Sequence, residues 1–345
     1  MELQKYDGNI HPDEWINDLH TYFDIKHESH GPLDLSIVKS LIDFTISLPT
    51  GIDDIEKLSK ALKENISFTV FKNTNRRKLQ SLKYIPESNG GDTAEFISNF
   101  RKLCSNAEIN DVKEQKKYLY GACLTNYFDY VSNEFYKEMK NVNSTDELIK
   151  KFEDIVLEES NLIKNGSIVA LKHVTSGKYL GSIKNLCYTT GSFTQMVRIF
   201  VESPEPDTNS LWRINLDEEL ASYTDTNLSL QLQHCKSNKF LGIINEDYRY
   251  YDSPITKHTE VSCDSIGHYF ESYWGFSHSK LENHHGYLKS GDTINLSIIK
   301  DNCDEFLHNH DVQFTIGNDT FQEVFCHKER LGGNDEWCIE LIKHA

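Results

Sequence analysis

Apolar positions recur every three or four residues through the first half of the chain and every second residue through the second half. Trp15, Ile16, Leu19, Tyr22 and Phe23 share one face at helical spacing, with Pro12 and Asp13 as start signals. Leu35, Val38, Leu41, Ile42 and Ile46 repeat the pattern, and Pro49 and Gly51 end it. Thr93 reads as the N-cap of a helix that buries Phe96, Ile97, Phe100 and Leu103. Ser144 or Thr145 caps a last predicted helix, with Leu148, Ile149, Phe152, Ile155, Val156 and Leu157 inward. The breaker Pro86–Gly91 divides this helical half, residues 1–163, into predicted lobes of about 1–85 and 91–163.

From residue 167 the period is two. Val169, Leu171 and His173 alternate with polar neighbours, as do Leu228, Leu230, Leu232 and His234. Pro, Gly, Asn and Asp punctuate short predicted strands. The switch places a boundary around Lys164–Ser167 and a second domain at 166–345.

That second half repeats itself three times. VALKHVTSGKYLGS (169–182), LQLQHCKSNKFLGI (230–243) and LSIIKDNCDEFLHN (296–309) align. Each has an alternating apolar pair, a polar turn and an aromatic-Leu pair: Tyr179-Leu180, Phe240-Leu241 and Phe306-Leu307. Met196-Val197, Val261 and Val324 mark a later common step, and Trp212, Trp274 and Trp337 close the units at spacings of 62 and 63. One such unit cannot bury its apolar face alone, so the copies must pack together. Three units are too few for a propeller of about four to eight blades. The predicted fold is therefore α + β and multidomain: an all-α two-lobed bundle, then an all-β β-trefoil. Leu180, Leu241, Leu307 and the three tryptophans are its expected structural core.

LKHVTSGKYLGS followed by SLWRI resembles the MIR module of protein O-mannosyltransferases, inositol trisphosphate receptors and ryanodine receptors, over residues 166–343. That resemblance implies a β-trefoil that binds a partner or ligand and does no chemistry. The third copy departs from the pattern: Lys300 stands at the His173/His234 position and Asp304 opposite Gly177 and Asn238. In the first half, LQKYDGNIHPDEWINDLHTYF and SLKYIPES...DTAEFISNFRKLC resemble gypsy-type retrotransposon Gag capsid domains, as do YLYGACLTNYFDYV and STDELIKKFEDIV. This implies self-association; the zinc knuckle that commonly follows such capsids is absent.

Charge narrows the partners. Residues 1–162 carry 20 Lys/Arg against 28 Asp/Glu, and residues 163–345 carry 16 against 25. Phosphate backbones need clustered cations, and only Arg76-Arg77-Lys78 offers a run, so nucleic acid is not an expected partner. No apolar stretch is long enough to span a bilayer and the start lacks a basic and apolar leader, so a cytoplasmic, non-membrane protein is expected. Eight scattered cysteines without a C-x-x-C pair read as buried small hydrophobes.

No nucleotide, metalloprotease or nucleophile-elbow motif is present, and no enzyme activity, cofactor or metal is expected. His284-His285 and His308-x-His310 read as surface-loop histidines. His173 and His234 occupy equivalent strand ends, as hydrogen-bonded structural groups or as ligand contacts. The candidate ligand-binding set is His173, Lys178, Tyr188, His234, Lys239, Tyr250 and Tyr251, with Tyr248 beside them. The expected function is a non-enzymatic binding and assembly protein: the helical half forms a homo-oligomer, and the second half recognises a partner or ligand, a protein or a glycan. The alternative is a carbohydrate- or phosphosugar-binding module.

Overall fold

The computed structural model describes residues 4–26, 34–123, 130–200, 205–224, 229–247, 249–281, 286–316 and 319–345. Leu228, Tyr248 and His284-His285 lie outside them. The chain splits into two compact units, Met1–Ser160 and Asn161–Ala345.

The first unit contains α1 (Pro12–Lys26), α2 (Leu35–Ser40), α3 (Ile55–Glu64), α4 (Ile66–Ser81), α5 (Thr93–Asn106), α6 (Val112–Cys123), α7 (Tyr130–Glu138) and α8 (Thr145–Ser160). Trp15 and Leu19 of α1 pack with Tyr6, Val38, Leu58 and Leu62. The helical spacing through Ile46 predicts a longer α2 than is found. Tyr6 takes over the backbone at its end: Tyr6 donates to the Leu41 carbonyl at 2.9 Å and Asp43 donates to the Tyr6 carbonyl at 2.9 Å. A parallel bridge thus replaces the next helical turn. The α5 cap is Asp92, whose carboxylate accepts from the Glu95 amide at 2.8 Å; Thr93 is the first helical residue and is buried. In α8, Leu148, Phe152, Ile155 and Val156 are buried, whereas Leu157 is turned outward.

The expected all-α, two-lobed capsid-like bundle is not what forms. Helices make up about a third of the chain (34%), and α4, before the Pro86–Gly91 breaker, packs on α5 and α6 beyond it. The Tyr84 ring lies 5.2 Å from both Phe96 and Phe152. A breaker stops a helix, but it does not stop the apolar faces on either side from sharing one core.

The second unit contains β1 (Ile168–His173), β2 (Leu180–Cys187), β3 (Gln195–Phe200), β4 (Trp212–Leu216), β5 (Leu230–His234), β6 (Phe240–Glu246), β7 (Arg249–Tyr250) and β8 (Thr259–Glu260). It continues with β9 (Ser262–Asp264), β10 (Phe270–Glu271), β11 (Gly275–His278), β12 (Thr293–Lys300), β13 (Cys303–Ile316), β14 (Asp319–His327) and β15 (Trp337–Lys343). Leu180, Leu241, Leu307, Trp212, Trp274 and Trp337 are all fully buried in one cluster. Each indole Nε1 donates to the carbonyl of the leucine in its own repeat, Trp212 to Leu180, Trp274 to Leu241 and Trp337 to Leu307, every time at 3.0 Å.

The β-trefoil expectation is corrected by the pairing. The strands form a closed ten-strand antiparallel barrel, with five further strands attached. The ring runs β3-β9-β6-β5-β4-β1-β15-β12-β13-β14 and closes through β14–β3. Pairs β4–β5, β1–β15 and β3–β14 cross repeat boundaries, so hydrogen bonding is continuous from copy to copy. The repeated apolar spacing dictates what each copy buries. It does not dictate which strands meet across copies, and closure removes the open edges that three separate sheets would leave.

Candidate functional site

The residues singled out from the sequence fall into four places. His173 and Lys178 share the turn after β1, where the His173 amide donates to the Lys178 carbonyl at 2.8 Å. His234 and Lys239 share the equivalent turn after β5, again with 2.8 Å between the His234 amide and the Lys239 carbonyl. Both imidazoles are buried, and burial holds both below the ordinary histidine pKa. His173 Nε2 lies 3.1 Å from the Asn334 carbonyl and Nδ1 lies 2.9 Å from Ser176 Oγ. His234 repeats this with Asn209 at 3.2 Å and Ser237 at 2.8 Å. A carbonyl only accepts, so Nε2 carries the proton in each ring. Both rings are committed to positioning a turn. Lys239 is paired with Asp264 at 3.2 Å.

Tyr250 and Tyr251 lie on and beside the short strand β7. Tyr250 packs against the core with Lys300 Nζ 4.8 Å from its ring centre, and the Tyr251 hydroxyl donates to Glu246 at 2.6 Å. Neither leaves its ring face paired with a neighbouring aromatic among the described residues.

Tyr188 is different. It is buried at the end of the β2–β3 hairpin, and its hydroxyl donates to the Val261 carbonyl at 3.0 Å. Burial raises its pKa well above the usual phenol value, with the Glu260 charge acting the same way, so the ring stays neutral. Tyr188 forms one wall of a pocket of about 160 Å³ with Met196, Pro254, Ile255, Phe314 and Glu323. Tyr188 and Met196 come from the first repeat, Pro254 and Ile255 from the second, and Phe314 and Glu323 from the third. The Glu323 carboxylate accepts the amides of Ile255 at 2.9 Å and Thr256 at 3.1 Å, which fixes the second repeat's loop at the mouth. Gly191 lets the β2–β3 turn lie against Glu260, since a Cβ there would sit 2.2 Å from that carboxylate.

Sequence reasoning picked out Tyr188 but passed over Pro254, Ile255, Phe314 and Glu323. Their signal is positional: each lies in or beside the hairpin that follows its repeat's aromatic-Leu pair. Larger grooves of about 310 and 420 Å³ flank Leu82 and Lys83 in the helical unit, but they are open and polar. A groove of that kind competes poorly with water for a ligand.

No family model matches the chain, and no curated protein matches it. Among solved structures it is similar to the SDF2-like protein of Arabidopsis thaliana, at 24% identity over 52% of this chain and 94% of that one, with a TM-score of 0.43. It is also similar to a Caenorhabditis elegans protein of unknown function, at 18% identity over 53% and 98%, with a TM-score of 0.43. The Saccharomyces cerevisiae protein O-mannosyltransferase Pmt1–Pmt2 complex bound to the sugar donor matches at 14% identity over 79% and 40%, with a TM-score of 0.42. These are weak likenesses, and they assign no family, activity or ligand. They lend no support to the capsid resemblance of the helical half.

Proposed function

We propose that the chain is a non-enzymatic binding and assembly protein whose strand unit recognises a partner at the three-hairpin pocket. The observation that carries this reading is the pocket's construction from one hairpin of each repeat, walled mainly by apolar side chains. At about 160 Å³ it is smaller than the roughly 300–1,000 Å³ of pockets that take drug-sized ligands. It suits one protruding apolar side chain of a protein partner, the usual form of an interface anchor. The MIR resemblance of the repeated turns and the absence of a catalytic motif support a module that binds without reacting. Thiol chemistry finds little help here: burial pushes Cys104 and Cys263 up to about 12, where a thiolate nucleophile is scarce at neutral pH.

A phage-displayed peptide library panned on the full chain tests the reading. Enrichment of peptides with a common apolar anchor, lost on a Phe314→Asp variant, supports it. Equal enrichment on both proteins sinks it. A second reading, binding of a single sugar ring, is favoured by the aromatic Tyr188 and Phe314 and the hydroxyl-bearing Thr189 and Thr190 lining the same pocket. A glycan array on the same two proteins distinguishes it.

The helical unit supplies self-association in this proposal. Phe44 is 95% exposed and Ile66 73% exposed, and the Asn65 side chain ties their two segments together by donating to the Ser47 carbonyl at 3.0 Å. A contiguous exposed apolar patch marks a contact surface, and the proposal takes these two side chains as part of one. Light scattering should show an oligomer that Phe44→Glu with Ile66→Lys disperses; a native chain that stays monomeric at high concentration counts against assembly. The proposal places the protein in the cytoplasm, in keeping with cysteines that form no disulfide among the described residues.

A further inference from the structure

The third repeat differs from its siblings where its closing turn meets its hairpin. At the position two before the tryptophan, the first two copies carry Ser210 and Ser272 and the third carries Asp335. At the position after the core leucine, they carry Gly181 and Gly242 and the third carries His308. Three residues beyond the common valine stand Phe200 and Asp264, against His327. The fold makes the same leucine-to-indole bond in all three copies, so it does not require these three replacements.

The replacements converge. His308 lies opposite Phe325 and His327 opposite Phe306 on the paired strands β13 and β14, which puts the two histidines diagonally adjacent on one face. Their rings are 4.6 Å apart. Asp335 Oδ1 lies 2.8 Å from His308 Nδ1 and 2.6 Å from His327 Nε2. The three atoms all lie within 4.8 Å of one another, and Asp335 and His327 are buried.

The carboxylate is held in advance. Its Oδ2 accepts the Gly332 amide at 2.6 Å, and Asn295 Nδ2 donates to the Asp335 carbonyl at 2.9 Å. His173 and Thr175 pin the neighbouring residues of the same turn through the carbonyls of Asn334 and Gly333. Outer hydrogen bonds of this kind orient metal ligands.

We propose that His308 Nδ1, His327 Nε2 and Asp335 Oδ1 bind a divalent transition-metal ion of the zinc type, with water completing the coordination. Two imidazoles and one carboxylate are a zinc donor set, at about 2.0–2.2 Å from the ion. Tetrahedral ligands at that range stand roughly 3.3 Å apart, so the nitrogen–oxygen distances must open by roughly half an ångström. In the free protein the Glu329 amide donates to His327 Nδ1 at 3.1 Å, so the ring proton sits on Nε2 and faces Asp335. Ion uptake moves that proton to Nδ1 and the His308 proton from Nδ1 to Nε2. It gives up the two histidine–Asp335 hydrogen bonds and the Glu329 bond in exchange for three bonds to the metal.

The test uses the full chain, stripped with chelator, then titrated with zinc sulfate by calorimetry and with cobalt(II) by visible absorbance. One ion per chain, tetrahedral cobalt bands and a raised melting temperature are expected. His308→Gly restores the residue of the sibling repeats. It should weaken zinc binding at least 10-fold and abolish the zinc-induced rise in melting temperature while tryptophan fluorescence in chelator still reports a folded chain, and His327→Gln should do the same. A native chain that binds no stoichiometric ion overturns the proposal, as does a His308→Gly protein that binds zinc like the native one.

Discussion

His173 and Trp337, from opposite ends of the strand unit, face each other across the β1–β15 pair with ring centres 5.1 Å apart. His234 and Trp212 repeat the relationship across β4 and β5 at 5.3 Å. In both cases the histidine reaches past the indole to the carbonyl three residues before it, Asn334 or Asn209. Each histidine therefore belongs to the closure between one repeat and another, because its ring holds a turn that its own repeat does not supply.

Protonating these histidines should loosen the strand unit. Both folded pKa values lie below the ordinary 6.5, chiefly through burial. The unfolded chain therefore binds more protons than the folded one once pH drops to about 6.5, so stability falls from there as pH falls. Urea midpoints compared between pH 8 and pH 5.5 should decrease, and His173→Gln with His234→Gln should flatten the slope. An unchanged slope in the double variant would remove the assignment.

Asp335 works in a lower window. Burial by itself would raise its carboxyl. The hydrogen bonds from His308, His327 and the Gly332 amide instead hold it well below the usual carboxylate range. Its contribution is present above the unfolded pKa near 3.8 and is lost as pH falls below it. Asp335→Asn should therefore shrink the loss of stability between pH 4 and pH 2, measured by the same unfolding series.

The three indoles should be of similar weight. Replacing Trp212, Trp274 or Trp337 by alanine removes a fully buried ring and one hydrogen bond, and each change should destabilise the strand unit by about 3–5 kcal/mol. Denaturant unfolding of the three variants checks this. If one of them were near neutral, the repeats would not be energetically equivalent.

Tyr188→Phe should cost about 1 kcal/mol, because the Val261 carbonyl loses a buried donor. In the helical unit, Asp92→Ala should cost a similar amount, about 1 kcal/mol, by freeing the Glu95 amide at the start of α5. Thr93→Val should cost less than Asp92→Ala if the cap is residue 92. Urea midpoints of the three proteins decide the ranking.

The amino-acid sequence by itself determines local period and recurrence. Helical spacing around Trp15 and alternation around Val169 follow from side-chain geometry, and the Leu and Trp repetition is written in the chain. It also contains His308, His327 and Asp335, but His308-x-His310 is the pair that stands out, while the partners that meet His308 are 19 and 27 residues away. Only tertiary structure decided those meetings. The same holds for the ten-strand closure, the shortening of α2 by Tyr6, the packing of α4 across Pro86–Gly91, and a pocket with one wall from each repeat. Each depends on hydrogen bonds or contacts between segments far apart in sequence, where local propensity has no say, and where backbone groups and apolar faces pair with whatever the closed chain brings to them.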